Sequence, residues 1–144
     1  MLNPYAKNLA QYKNNEVLTA TPEKLMIMLY DAAIQFLFKA RKAIADNNPA
    51  EICNNIIGCQ KILREFMKTI DLENGIDVGR HLFVFYDKLV KMLYRVNRRR
   101  DTELLEEVIK ELKTLREAFL GAIDIAAKEK SESLIEDSET NIGE

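Results

Sequence analysis

Few side chains in this 144-residue sequence are of types that do covalent or acid-base chemistry, and their spacing speaks against it. His81 is the single histidine and stands beside Leu82 and Phe83, with no second imidazole to share a metal or relay a proton. A di-iron bundle needs Glu-x-x-His on two helices, which one histidine cannot supply. Cys53 and Cys59, six residues apart, would be separated on one helix by about 9 Å of rise, too far for a disulfide. With no CxxC or Cys/His cluster to suggest zinc, they read as reduced, buried or half-buried thiols of a cytoplasmic protein. Gly75, Gly79 and Gly121 are isolated, so no glycine-rich phosphate loop is present. The carboxylates are scattered over helical positions that read as solvated. The sequence therefore predicts no catalytic residue, no metal site and no cofactor: this is not an enzyme.

Charge offers one alternative chemistry. Arg98, Arg99 and Arg100 place three guanidiniums in a row, as a phosphate-binding surface would. The net charge of −2 and the lack of aromatics in that turn oppose nucleic-acid binding. A helix C-terminus, whose dipole favours cations, is the simpler setting for the cluster. Beyond Lys130 the chain has five acidic residues and no basic one, which leaves a mildly basic body and an acidic tail. The longest unbroken apolar run, Leu25 to Tyr30, is six residues, against the roughly 20 needed to span a bilayer. With no cationic, apolar leader either, a soluble, cytoplasmic protein without membrane contact is expected.

Four predicted helices must position whatever function remains. Thr21 supplies an N-cap hydroxyl, Pro22 the first helical position and Glu23 a charge suited to the helix dipole, so a first helix is predicted from Pro22 to about Ala45. Its core stripe is Leu25, Leu29, Ala32, Ala33, Phe36, Ala40 and Ala43. A second helix starts from the Asn48 cap and Pro49, carries Ile52, Ile56, Cys59, Leu63, Phe66 and Ile70, and is expected to stop after Leu72 at Asn74-Gly75. A third, from Asp77 to about Arg98, carries Leu82, Phe85 or Tyr86, Leu89, Met92 or Leu93, and Val96. A fourth follows the Asp101 cap with Leu105, Val108, Leu112, Leu115, Phe119, Ala122 and Ala126. Short turns between such helices predict an all-α, antiparallel up-down-up-down four-helix bundle over residues 19–130. Residues 1–18, with Tyr5, Leu9, Tyr12, Val17 and Leu18 among polar side chains, read as a short helical turn followed by an extended cap segment. Residues 131–144 read as a disordered acidic tail.

The first helix has more apolar surface than one neighbour needs. Ile27, Tyr30, Ile34 and Phe38 form a flank outside the core stripe, leaving a narrow polar arc through Lys24, Asp31, Gln35, Lys39 and Lys42. Such a flank is either covered by the chain's own helices or forms part of a groove for a partner helix, and the two are compatible.

The motifs at this end of the chain are specific. Asn3-Pro4-Tyr5, then Tyr12, Asn15 and Val17, then Thr19-Ala20-Thr21-Pro22-Glu23-Lys24-Leu25 and Met28-Leu29-Tyr30-Asp31 form an ordered series that closely resembles the N-terminal signature of FliS, the cytosolic export chaperone family of flagellin. Tyr86-Asp87, Asn97 and Asp101 match thinly further on, and Phe119 stands where members often have tryptophan. The resemblance covers residues 3 to about 128; Tyr12 follows Tyr5 by seven residues where members usually space the two tyrosines by three. It implies a four-helix bundle that binds the disordered C-terminal region of flagellin, prevents premature polymerisation and keeps it competent for type III export. It also implies partners at the flagellar export gate and, for some members, a flagellar assembly factor. On this reading Tyr5, Leu9, Tyr12, Val17, Leu18, Ile27, Tyr30, Ile34, Phe38 and Tyr86 are partner-binding residues, and the N-terminal segment covers part of the site when the chaperone is empty or clasps the client when it is loaded. The alternatives are a helical adaptor or oligomerisation module for another client, which a flagellin pull-down would separate, and a nucleic-acid-binding bundle, whose affinity would fall steeply with salt.

Overall fold

Local signals fix where each helix begins. The computed structural model describes residues 20–73 and 77–142, with side chains characterised through residue 138. Thr21 caps α1 (Pro22–Ala45) by accepting a 3.2 Å hydrogen bond from the Lys24 amide. Asn48 does the same for α2 (Pro49–Lys68) through the Glu51 amide at 3.3 Å. Asp101 caps α4 (Thr102–Ile142) through the Leu104 amide at 3.0 Å. Between them, α3 spans Asp77–Arg99. Each cap satisfies an amide that would otherwise lack a helical partner. At the other ends, Asn47 and Arg100 take left-handed backbone, φ 52° and 55°. Asn47 lets the Asn48 amide reach back to the Ala43 carbonyl at 2.9 Å and close α1.

Two boundaries differ from the sequence reading. Helix α2 ends at Lys68 rather than Leu72 because Thr69 turns its hydroxyl onto the Phe66 carbonyl, 2.7 Å away, and closes the last turn early. Asn74-Gly75, the expected stop, lies outside the described residues. Helix α4 does not end near Lys130: the segment expected to be disordered continues helical to Ile142, with every side chain from 131 to 138 exposed. Proline is absent beyond residue 49 and no glycine falls between Gly121 and Gly143, so nothing breaks a helix already nucleated by its packed turns.

The architecture is all-helical, and among the described residues no strand occurs. Helix α1 packs on α2 and α4, and α3 packs on α2 and α4, so the four close into a ring consistent with a four-helix bundle. The numbering of paired residues falls on one helix as it rises on its neighbour: Asp31 meets Arg116 while Arg41 meets Glu106, and Cys53 meets Asn97 while Gln60 meets Val90. The core runs through Ala33, Leu37, Ile56, Leu63, Leu89, Leu93, Leu105 and Leu112, all fully buried. Small residues set the α1/α2 separation. A Cβ on Gly58 would fall 2.7 Å from the Phe36 ring, so glycine is what lets the ring approach α2 this closely. Buried polar groups are few and partnered. Gln60 donates to the Val90 carbonyl at 3.1 Å across the α2/α3 seam, and among the described residues no buried side-chain nitrogen or oxygen lacks a partner.

Candidate functional site

Two of the residues singled out on α1 and α3, Tyr30 and Tyr86, meet inside the bundle. Tyr30 lies two helical turns into α1 and Tyr86 midway along α3; both point inward, and one hydroxyl donates to the other across 2.5 Å. Phe66 from α2 stacks obliquely on both rings, with centroids 4.7 Å from Tyr30 and 5.5 Å from Tyr86. Phe119 from α4 approaches Tyr30 at 6.2 Å. Each helix thus contributes one aromatic to a single knot, whose tilted rings favour edge-to-face contact. Burial raises the pKa of both hydroxyls above the ordinary tyrosine value, and their mutual hydrogen bond raises that of Tyr30 further, so the pair is neutral and structural at physiological pH.

The α1 flank is divided rather than continuous. Tyr30 and Ile34 are buried, 2% and 6% exposed, so neither is open surface in this structure. Burial follows from the width of the stripe: α1 is covered by two neighbouring helices, and Tyr30, Ile34 and Leu37 fill the arc between them. Ile27 and Phe38 are half-buried. Phe38 sits at the α1/α4 seam, with the Arg41 guanidinium 4.9 Å and the Lys113 ammonium 5.2 Å from its ring centroid. Tyr86 is buried as well, at 4%. Tyr5, Leu9, Tyr12, Val17 and Leu18 lie outside the described residues.

A half-buried apolar rim surrounds the aromatic knot. Leu82, Phe83 and Phe85 from α3 and Leu115, Phe119 and Leu120 from α4 are all partly exposed, and Leu82, Phe85, Leu115 and Phe119 pack on the core from its edge. The sequence reading assigned most of these to core stripes. Their common position at one end is what it missed, and the signal was available: each stripe runs on for a turn beyond the residues that its neighbours can bury. One ion pair, Asp31 accepting from Arg116 at 2.5 Å, lies beside Leu115 in sequence on α4, and a second, Glu106 accepting from Arg41 at 2.8 Å, lies farther along the α1/α4 seam. Exposed pairs of this kind contribute about 0–1 kcal/mol, so they fix register more than stability.

Nothing in the arrangement resembles a reaction centre. His81 is exposed, Cys59 is fully buried with its thiol pKa raised by desolvation, and Cys53 accepts a long contact from Asn97 at 3.7 Å. Among the described residues, no three His, Cys, Asp or Glu side chains are placed to hold a metal. None of the described helices is long and apolar enough to cross a membrane.

Comparison with known proteins agrees with the all-helical architecture. The family model described as flagellar protein FliS matches residues 5–126. The flagellar secretion chaperone FliS of Bacillus subtilis is 31% identical over 128 residues, covering 89% of this chain and 92% of that protein. That of Campylobacter jejuni is 28% identical, covering 75% and 84%, and that of Salmonella typhimurium is 28% identical, covering 72% and 77%. All three relatives bear the name of a flagellar secretion chaperone, a non-enzymatic class. The matched residues take in all of α1, α2 and α3 and the packed part of α4, and this chain belongs to the FliS family of flagellar proteins.

Proposed function

We propose that this protein is a cytoplasmic flagellar export chaperone, without enzymatic activity, whose client is the disordered C-terminal region of flagellin. The observation that carries the proposal is the family match over residues 5–126, together with relatives named flagellar secretion chaperones. In physical terms, the bundle is antiparallel up-down-up-down, as the opposed numbering of its paired residues supports. Such a bundle is a rigid surface against which an unstructured client can fold. The client's apolar helical stripes lose chain entropy as they order and gain burial against the chaperone, which holds them away from one another and from premature polymerisation.

Ile27 and Phe38 on α1 offer the accessible part of the proposed site. Tyr30, Ile34 and Tyr86 hold the shape of the surface from beneath and reach a client only if that end of the bundle opens. The segment from Tyr5 to Leu18 either competes with the client for this surface or clasps it once bound. Docking of the loaded chaperone at the flagellar export gate, and contact with a flagellar assembly factor, complete the proposed cycle.

Capture of flagellin from solution tests the reading. Immobilised protein should retain full-length flagellin and lose it when the flagellin C-terminal region is deleted. Equal retention of both forms, or of neither, would overturn it.

A further inference from the structure

The net charge of −2, which argued against a nucleic-acid or membrane partner, averages over two unlike halves. Between residues 49 and 99, the span of α2 and α3, nine lysines and arginines stand against six acidic side chains, whereas α4 carries eleven acidic against five basic. The bundle is electrically polarised across its width.

The cations of α2 and α3 gather on one outer face. The seam between the two helices is marked by Gln60 on the Val90 carbonyl and by Arg64, whose guanidinium donates to the Tyr94 hydroxyl at 2.7 Å. On the α2 side, Lys61, Arg64 and Lys68 recur at three- and four-residue spacing, all exposed. On the α3 side, Arg80, Lys88, Lys91, Arg95 and Arg98 are exposed along about 27 Å of helix rise. The two carboxylates within this field are each matched to a single cation, Asp87 to Lys91 at 2.8 Å and Glu65 to Lys68 at 3.1 Å. The remaining acids of the two helices, Glu51, Asp71, Glu73 and Asp77, sit in first turns and in the connecting segment.

Apolar side chains interrupt the cations: Val84 is 66% exposed, Tyr94 51% and Ile57 36%. The face is two helices wide, with axes about 8–10 Å apart. A hollow of about 470 Å³ beside Val84 is lined by α3 residues alone, so it lacks the second wall that a partner helix needs. A nucleic acid would match the cations and leave the apolar side chains without partners. A lipid surface matches both, with phosphates for the cations and an interfacial zone for the valine and the tyrosine ring.

We propose that the α2/α3 face docks on an anionic bilayer surface, as a peripheral contact with no spanning segment. Lys88, Lys91 and Arg95 lie against the headgroups, and Val84 enters between them. The α1/α4 seam is on the other side of the ring, so the acidic helix is held away from the surface and Phe38 stays accessible. Each cation held at such a surface raises partitioning about fivefold, and salt screens the attraction, so the contact is reversible. It does not rest on the identity of the client.

Co-sedimentation of the full chain with vesicles tests the proposal. In about 100 mM salt the protein should pellet with phosphatidylcholine vesicles containing about one-third phosphatidylglycerol, stay in solution with pure phosphatidylcholine, and be released in about 500 mM salt. The K88E/K91E/R95E variant should bind at least about tenfold more weakly with unchanged helicity, whereas K24E/K39E/K42E, the same change of charge on α1, should lose less than about threefold. The chain has no tryptophan, so V84W supplies a single reporter whose emission should shift to the blue with anionic vesicles and not with neutral ones. The proposal is overturned if the full chain ignores anionic vesicles, binds neutral ones equally, loses binding equally in the two triple variants, or leaves the V84W emission unmoved. Capture of duplex DNA or polyglutamate by this face, without vesicle binding, would equally overturn it in favour of that partner.

Discussion

Helices α1 and α4 share a family of apolar repeats but have different fates. On α1 the stripe is so wide that eight of its residues are buried, and between its ends the exposed side chains are confined to an arc through Lys24, Asp31, Gln35, Lys39 and Lys42, with Arg41 beside it. On α4, Leu105, Val108, Ile109 and Leu112 are buried, Leu115 and Phe119 are half-buried, and Ala122 and Ala126 are exposed. The same periodic pattern thus continues after its neighbours have ended. Helicity in the extension comes from continuity with packed turns, whereas stability comes from burial, and the two part company near Phe119.

Substitutions that strike each side of this contrast should differ by several kcal/mol. Phe66→Ala removes the ring that joins both tyrosines and should cost about 3–5 kcal/mol in urea unfolding, while Leu134→Ala should be neutral within about 0.5 kcal/mol for dilute, monomeric protein. A comparable cost at both positions would erase the distinction. Gly58→Ala should cost about 1–3 kcal/mol, since the methyl group collides with Phe36 on the most crowded side of α1. Phe36→Leu in the same chain should recover part of that loss, and no recovery would place the strain elsewhere.

The tyrosine pair sharpens the contrast at finer scale. Tyr86→Phe leaves the Tyr30 hydroxyl buried without its partner and should cost about 1–3 kcal/mol, whereas the Tyr30→Phe/Tyr86→Phe double variant should lose less than the sum of its parts. Additive losses would mean that the hydroxyls do not depend on each other. Both folded-state pKa values lie above the ordinary 10.0, so the unfolded chain releases these protons first as pH rises. Stability from the pair is fully present below about pH 10 and falls above it, and the double Phe variant should lose less over that range in alkaline melts. The smallest effect belongs to the extension. Truncation after Lys130 should leave the unfolding midpoint of dilute protein within about 2 °C, and a larger drop would show that the segment is packed.

Much of this was legible in the sequence. Thr21-Pro22, Asn48-Pro49 and Asp101 announced three helix starts because capping is local chemistry. The end of α2 was misplaced because Thr69 closes the helix with its own hydroxyl, a weaker textual signal than Asn74-Gly75. The end of α4 was unreadable from polar composition, since Ser, Glu and Lys are as compatible with a solvated helix as with a disordered chain. At the candidate site, periodicity identified Tyr30 and Ile34 as apolar surplus on α1 but could not say whether that surplus meets the chain's own helices or a partner. Burial beneath α2 and α4 depends on register between segments distant in sequence. For the same reason Gln60, polar by type, could not be placed in the core until its bond to the Val90 carbonyl was known.

Client binding itself is tested most directly by titrating the flagellin C-terminal region into the full chain in a calorimeter at several temperatures. Saturable binding with a negative heat-capacity change, together with a gain of helical signal in the complex, is the predicted result, because apolar stripes are buried as the client folds. Ile27→Asp and Phe38→Asp should weaken that binding while the free protein keeps its helicity. Absence of heat at every temperature, together with absence of induced helix, at client concentrations up to about 100 μM, enough to half-fill a site with about 5 kcal/mol of binding free energy, would contradict the account.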